Sequence, residues 1–229
     1  MKYKFLIISF ICIFTSIPAI ANEVNDWAVK GYKANHHGNY MKAVRLYTKA
    51  AERGHVLAQF NLGVMYREGN GIPENSKRGL DWITKAAEQG YIDAQLYLGG
   101  FYRYGSQAAK WYTKAAEQGH SEAQRQIGLL LENAHRIPKD IHKAIRWYTK
   151  SAVQGNAGAQ RNLGLAYGDE DNPKIYNKKL SFAWLSVYSL SEGSRPYSRD
   201  DAKKLLTPNE LVEAQEEATK IYERLTKLY

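Results

Sequence analysis

Apolar positions along the middle of the chain recur at helical spacing, in pairs of segments. Ala58, Leu62, Met65 and Tyr66 fall at i, i+4, i+7 and i+8, one face of a helix. Gly69-Asn70-Gly71-Ile72-Pro73 then breaks the pattern, because two glycines and a proline cannot continue a helix. Leu80, Ile83 and Ala87 resume it on a second segment, which Gly90 is placed to end in the left-handed conformation. The pattern predicts a helical hairpin, and its second half returns along the chain. It reads Leu46-Tyr47-Thr48-Lys49-Ala50-Ala51-Glu52-Arg53-Gly54, then Trp82 to Gly90, Trp111 to Gly119 and Trp147 to Gly155. The closing glycines lie 36, 29 and 36 residues apart. Self-similarity at that period predicts a stack of hairpins, each stabilised by its neighbours.

The first helices align as well. Ala58-Gln59, Ala94-Gln95, Ala123-Gln124 and Ala159-Gln160 are equivalent, and a glycine follows each alanine by five residues: Gly63, Gly99, Gly128 and Gly164. A glycine inside a helix costs about 1 kcal/mol against alanine. Four at one phase predict a close approach of the partner helix, where a Cβ would clash. Tyr66, Tyr102, Leu131 and Tyr167, three residues on, are the large residues beside that contact. Ala86-Ala87, Ala115-Ala116 and Ser151-Ala152 supply small residues on the second helices.

Three motifs carry a family resemblance: Ala-Gln-x-x-Leu/Ile-Gly-x-x-Tyr, the Gly-x-Gly-Ile-Pro loop, and Trp-Tyr-Thr-Lys-Ala-Ala-Glu-Gln-Gly. The chain resembles the Sel1-like repeat family, a subclass of tetratricopeptide-type solenoids, over residues 39–193. Residues 27–54 look more like an ordinary tetratricopeptide unit. The resemblance implies an all-α, right-handed α-solenoid of about five helix-turn-helix repeats with a C-terminal capping helix. Two departures stand out. Repeat three lacks seven residues between Tyr104 and Lys110, so its hairpin is expected to turn near Gly105-Ser106, with Ser106 as a candidate N-cap. Repeat five ends in a looser segment from Phe182 to Gly193, as a terminal repeat does. Beyond it, a short helix is expected over residues 199–206. Thr207-Pro208-Asn209-Glu210 then reads as a capping box with proline at the first helical position. Leu211, Ala214, Ala218, Ile221, Tyr222 and Leu225 follow on one face of a long last helix.

The chain begins with two lysines, Lys2 and Lys4, an apolar run from Phe5 to Ile17, and small residues at Ala19 and Ala21. That is the layout of an export signal cleaved near Ala21-Asn22, and the run is short for a membrane anchor. The expected organisation is a signal peptide at 1–21, a repeat array at 22–193, and a polar linker with a capping helix at 194–229. Cys12, the only cysteine, leaves with the signal, so thiolate metal binding, disulfides and a cysteine nucleophile are excluded from the mature chain. The expected location is the periplasm or the exterior. Formal charge falls from +9 to +7 on losing Lys2 and Lys4. Export and the even spread of Lys and Arg oppose nucleic acid as a partner, and favour an acidic protein or one with an anionic patch. A membrane is expected only by way of that partner, and the chain is expected to be a monomer.

No catalytic, cofactor or metal site emerges from the residue pattern. The six histidines show no i, i+4 pair with a further ligand, and His55 and His120 read as turn residues behind closing glycines. Gly69-Asn70-Gly71 follows no strand, and Asp169-Glu170-Asp171 lacks the spacing of a calcium loop. Trp82, Trp111 and Trp147 occupy equivalent positions, which favours packing between repeats over sugar stacking.

In the family that the chain resembles, the first helix of each repeat lines a concave face. The residues placed there are Tyr32, Phe60, Arg67, Leu96, Arg103, Tyr104, Arg125, Leu129 and Arg161, together with Asn25, Ala28, Asn35, Val64, Glu132 and Leu165. Arg67 matches Arg103 in phase and Arg125 matches Arg161, a row of arginines among aromatics of the kind that forms protein-binding hot spots. The reading is a non-enzymatic interaction module that holds a protein partner, as a toxin-neutralising immunity protein or an envelope signalling or virulence adaptor. A cell-wall-acting hydrolase or a glycan-binding module is the alternative.

Overall fold

The structure, a computed structural model, describes residues 21–133, 136–192 and 197–227; the expected export signal lies almost wholly outside the described residues. Twelve α-helices and no strand occur among them. Helix α1 covers residues 21–36. It is followed by α2 (Tyr40–Glu52), α3 (Val56–Glu68), α4 (Ser76–Glu88), α5 (Ile92–Tyr102), α6 (Gly105–Glu117), α7 (Ser121–Glu132) and α8 (Ile141–Ala152). The chain closes with α9 (Ala157–Tyr167), α10 (Lys178–Glu192), α11 (Tyr197–Lys204) and α12 (Pro208–Thr226). Helices α1 to α10 form the five hairpins. Backbone contacts divide the chain into two compact units, one ending at Leu98 and one beginning at Gly99.

The hairpin contacts have one rule. On each first helix a glycine faces a large residue of the second helix. A Cβ built on Gly31 would lie 2.9 Å from Tyr47, on Gly63 2.6 Å from Ile83, on Gly99 2.7 Å from Tyr112, on Gly128 2.4 Å from Tyr148 and on Gly164 2.5 Å from Leu185. The close approach expected at Gly63, Gly99, Gly128 and Gly164 is therefore present. The knob that fills each glycine gap is the aromatic or aliphatic residue at the second position of the repeated motif, for example Tyr148, which is fully buried.

The joints between repeats are short and alike. After α4, Gly90 adopts φ 93°. Its N–H donates to the Ala87 carbonyl at 3.1 Å, and the Tyr91 N–H donates to the Ala86 carbonyl at 3.1 Å. This pair of bonds is a Schellman motif, which satisfies carbonyls left open at a helix end. The same pair closes α2, α6 and α8. The next residue then starts the next helix: Nδ1 of His55 accepts from the Ala58 N–H and Nδ1 of His120 from the Ala123 N–H, each at 3.3 Å. Asn156 does the same with Ala159 at 2.9 Å. Burial, opposed by a backbone hydrogen bond, holds His55 below its ordinary pKa of 6.5.

The carboxy-terminal part follows the expected layout. Thr207 and Glu210 form the capping box of α12, with Pro208 at its start. Ala218, Ile221 and Leu225 pack with Ala183, Trp184 and Val187 of α10, and Ala214 joins Phe182 and Leu185. Lys178–Glu210 and Lys179–Glu213 pair across the two helices at 2.9 and 2.7 Å. The fold is an all-α array of five hairpins closed by a capping helix. One local expectation fails. The α5–α6 turn consists of Arg103 and Tyr104 alone, so Ser106 lies inside the first turn of α6 and caps nothing.

Candidate partner-binding surface

The residues expected on a binding face separate into those absorbed by packing and those left open. In the first unit, Tyr32 is open, at 56% exposure. Ala28 is not: it is 2% exposed and belongs to the core under α1 and α2. Phe60 is half-buried, with its ring edge-on to Tyr91 and Tyr97 at 5.3 and 6.2 Å. Arg67 lies with its guanidinium over the Tyr97 ring at 5.2 Å and donates to the Tyr97 hydroxyl. Its stem crosses Gly79, where a Cβ would come within 2.3 Å of it. Leu96 is half-buried on α5.

In the second unit Arg125 is a structural residue. It grips both carboxylate oxygens of Glu122, at 2.9 and 2.7 Å, and its Cδ would lie 2.8 Å from a Cβ on Gly158 of α9. Asn156 donates to the same carboxylate at 3.2 Å, as does Gln126 at 2.7 Å. Burial alone would raise the Glu122 pKa; the bonds from Arg125, Gln126 and Asn156 outweigh it and hold the group below its ordinary 4.5. Leu129 packs against the second unit's core, and Glu132 accepts the Tyr148 hydroxyl at 2.6 Å. Arg103, Tyr104, Arg161 and Leu165 are exposed. The phase match between Arg67 and Arg103 does not survive folding. Arg67 is helical, whereas Arg103 sits past the end of α5 with φ 57°.

The tryptophans pack, as their repeated phase implied. Trp111 is buried and Trp82 and Trp147 are half-buried. A lysine from the next turn lies over each ring, Lys85 at 3.9 Å, Lys114 at 4.9 Å and Lys150 at 4.5 Å. Such cation–π contacts are worth about 0.5–1 kcal/mol at exposed sites. Among the described residues no group of three or more His, Cys, Asp or Glu is placed to hold a metal ion, and no helix is long and apolar enough to cross a membrane.

Sequence reasoning missed a set of buried glutamines. Gln59, Gln95, Gln124 and Gln160 each donate to a carbonyl at the end of the preceding helix, Ala51, Ala87, Ala116 and Ala152, at 3.0–3.3 Å. The glutamine before the next closing glycine then donates to the first: Gln89 to Gln59 at 2.6 Å and Gln154 to Gln124 at 2.7 Å. The signal was present as a recurrent 30-residue spacing of the two glutamines.

Comparison with known proteins places this architecture. The Sel1 repeat profile matches residues 34–55, 56–91, 92–120, 121–156 and 157–186. Among solved structures, the chain is similar to c5321, described as a protective antigen present in uropathogenic Escherichia coli strains displaying an SLR fold. Identity is 29% and the TM-score 0.66, over 92% of this chain and 50% of that one. The chain thus spans half the length of that relative. It is also similar to a Sel1 repeat protein from Oxalobacter formigenes, with 28% identity and a TM-score of 0.66 over 89% and 90% of the two chains. A looser likeness, 20% identity and a TM-score of 0.42 over 90% and 82% of the chains, is to the immunity protein PA5088 from Pseudomonas aeruginosa, and at that level it carries no functional argument. No curated protein sequence matches. Five in-phase matches along the chain, on hairpins built to one contact rule, make this chain a member of the Sel1 repeat family.

Proposed function

We propose that the chain is an exported, non-catalytic interaction module that holds an acidic protein partner, with residues 1–21 as its removable signal, 22–193 as the array and 194–229 as the linker and cap. The observation that carries this reading is the division of the arginines and aromatics. Arg67 and Arg125 are spent on packing, whereas Tyr32, Arg103, Tyr104 and Arg161 stay exposed on first helices or at their ends. Exposed Arg and Tyr in a chain of mature charge +7 suit a carboxylate-rich surface. A protective antigen among its relatives supports an envelope or extracellular setting. In that setting the module serves as an immunity protein that blocks a secreted toxin, or as a signalling or virulence adaptor.

Two measurements test this. Mass spectrometry of the protein recovered from the periplasm should give a mature N-terminus at Asn22. Co-purification from the envelope fraction should yield one acidic protein that rebinds after separate purification. The Arg103→Glu/Arg161→Glu double variant should then bind it at least tenfold more weakly, about 1.4 kcal/mol or more. Retention of residues 1–21 in the cytoplasm, or undiminished binding by the double variant, would defeat the respective part of the reading.

A further inference from the structure

Four hairpins of the array can be compared at the same place, and one differs. In the hairpins α3–α4, α7–α8 and α9–α10 the loop folds back onto its own first helix. The N–H of the residue preceding the second helix donates to that helix end: Asn75 to the Tyr66 carbonyl at 2.7 Å, Asp140 to Leu131 at 2.9 Å and Asn177 to Tyr167 at 2.8 Å. Tyr66, Leu131 and Tyr167 are half-buried and packed against the cores. The α5–α6 hairpin is seven residues shorter: Tyr104, which precedes its second helix, still donates to the Tyr102 carbonyl, at 2.6 Å, but across a two-residue turn instead of a long loop. Tyr102, in phase with those three, is 41% exposed, and its neighbours Phe101 and Tyr104 are 43% and 51% exposed.

Three exposed aromatic side chains thus stand within four residues of the chain. The rings of Phe101 and Tyr102 meet edge to face at 5.3 Å and 78°. Two arginines stand at the turn. Arg103 lies within the turn, and Arg136 has its Cβ 3.6 Å from where a Cβ on Gly105 would stand. Both arginines hold left-handed backbones, φ 57° and 61°. That conformation is strained for an L-residue other than Gly, Asn or Asp, and such strain clusters at functional sites. The neighbouring carboxylates of α7 are engaged internally, Glu122 with Arg125 and Glu132 with Tyr148.

We infer that this shortened turn is a docking site for an acidic peptide segment, bearing aliphatic or aromatic residues, of another protein. The inference rests on the proposed function and deepens it. Aromatic rings with two χ angles give contact area at low entropic cost, and a pair of guanidiniums selects carboxylates. Loss of the loop, rather than any added residue, opens the site. Inorganic phosphate would use the arginines and leave the rings idle, whereas the site joins both.

The test is selection from a displayed library of random peptides of about 15 residues against the full mature chain, followed by fluorescence anisotropy on the enriched peptides made synthetically. The expected sequences are rich in Asp and Glu with interspersed Leu, Phe or Tyr. Tyr102→Ser/Tyr104→Ser should weaken them about tenfold or more. Arg103→Gly, which suits the left-handed backbone, should weaken them about threefold, with the difference shrinking at high salt. Circular dichroism and melting confirm that each variant is folded. Failure to enrich acidic peptides, equal binding by an acidic peptide with serine at every apolar position, or unchanged affinity in both variants overturns the assignment. Self-association of the chain through this turn would overturn it as well. If a partner recovered from the envelope survives the turn variants and is lost with Arg161→Glu, the interaction-module reading stands and only the turn assignment falls.

Discussion

The side-chain amide of Gln154 donates to the side-chain oxygen of Gln124, thirty residues earlier, at 2.7 Å, while Gln124 itself donates to the Ala116 carbonyl at 3.1 Å. One buried glutamine therefore ties the end of α6 to the start of α7 and receives the end of α8. Gln124 is 4% exposed; on its removal the Ala116 carbonyl keeps the Gly119 N–H, at 3.0 Å, and loses only this second bond. Gln124→Ala should cost about 0.5–1.5 kcal/mol, and Gln154→Ala, at an exposed position, about 0.5–1 kcal/mol. Urea melts of both single variants and the double variant form a cycle. A coupling energy near zero would show that the two amides act independently.

The glycine contacts set a second expectation. A methyl at Gly63 would meet Ile83 Cγ1 at 2.6 Å and the Gly79 carbonyl oxygen at 2.7 Å, and backbone cannot swing aside. At Gly128 it would press on the buried Tyr148 ring at 2.4 Å. Gly63→Ala and Gly128→Ala should each destabilise by about 1–3 kcal/mol, and the leucine variants by more. Damage should stay with the neighbouring repeats. Hydrogen exchange of α3–α4 against α9–α10 measures that spread.

Helix α3 should respond to pH through its cap. Nδ1 of His55 accepts the Ala58 N–H, which needs a neutral ring, and burial lowers the His55 pKa below 6.5. A folded pKa below the unfolded one gives stability that is fully present above the unfolded value and lost as pH falls through the folded one. Between about pH 8 and pH 5 the wild type should therefore lose more stability than His55→Asn, which caps without titrating. Parallel pH profiles for the two proteins would mean that the cap contributes nothing measurable.

Arg125 belongs to the fold as much as to any surface. Its pairing lowers the Glu122 pKa, so the contribution is complete above pH 4.5 and fades on acidification through the lower folded value. Arg125→Ala should cost about 1 kcal/mol through lost pairing and lost cover over Gly158. Arg125→Glu should cost more, because it sets two carboxylates together. Calorimetry at neutral and acid pH should show the Glu122→Gln variant with the shallower acid limb.

Much of this was readable from residue order. The hairpins, the Schellman ends, the α12 capping box and the glycine contacts all depend on local chemistry repeated in phase, so one well-formed repeat explains the others. The fates of Arg67 and Arg125 were hidden for the opposite reason. Whether an arginine on a first helix is open depends on what later segments bring against it, here Gly79 and Tyr97 for Arg67 and Gly158 for Arg125, which also pairs with Glu122 of its own helix. Ser106 misled because a two-residue turn at Arg103–Tyr104 was tighter than a cap placed after Gly105 allowed for.

Arg103 offers a clean separation of fold from surface. Arg103→Gly removes a left-handed strain and adds chain entropy to the unfolded state, so stability should be unchanged or raised by up to about 1 kcal/mol. A loss larger than about 1 kcal/mol in thermal or urea melts would mean that the arginine side chain holds the turn together.

The missing loop has a wider consequence. Helices α5 and α6 keep eleven and thirteen residues, the lengths of α9 and α4 in hairpins with full loops. Seven residues have gone from the chain without disturbing the glycine contact of that hairpin. Loop length and helix packing are therefore set by separate residues. The repeats share their buried glycines and glutamines while their loop lengths differ, and loop length decides which patches meet the outside. An array built this way can acquire a new specificity by deletion, and the inherited scaffold need not change to permit it.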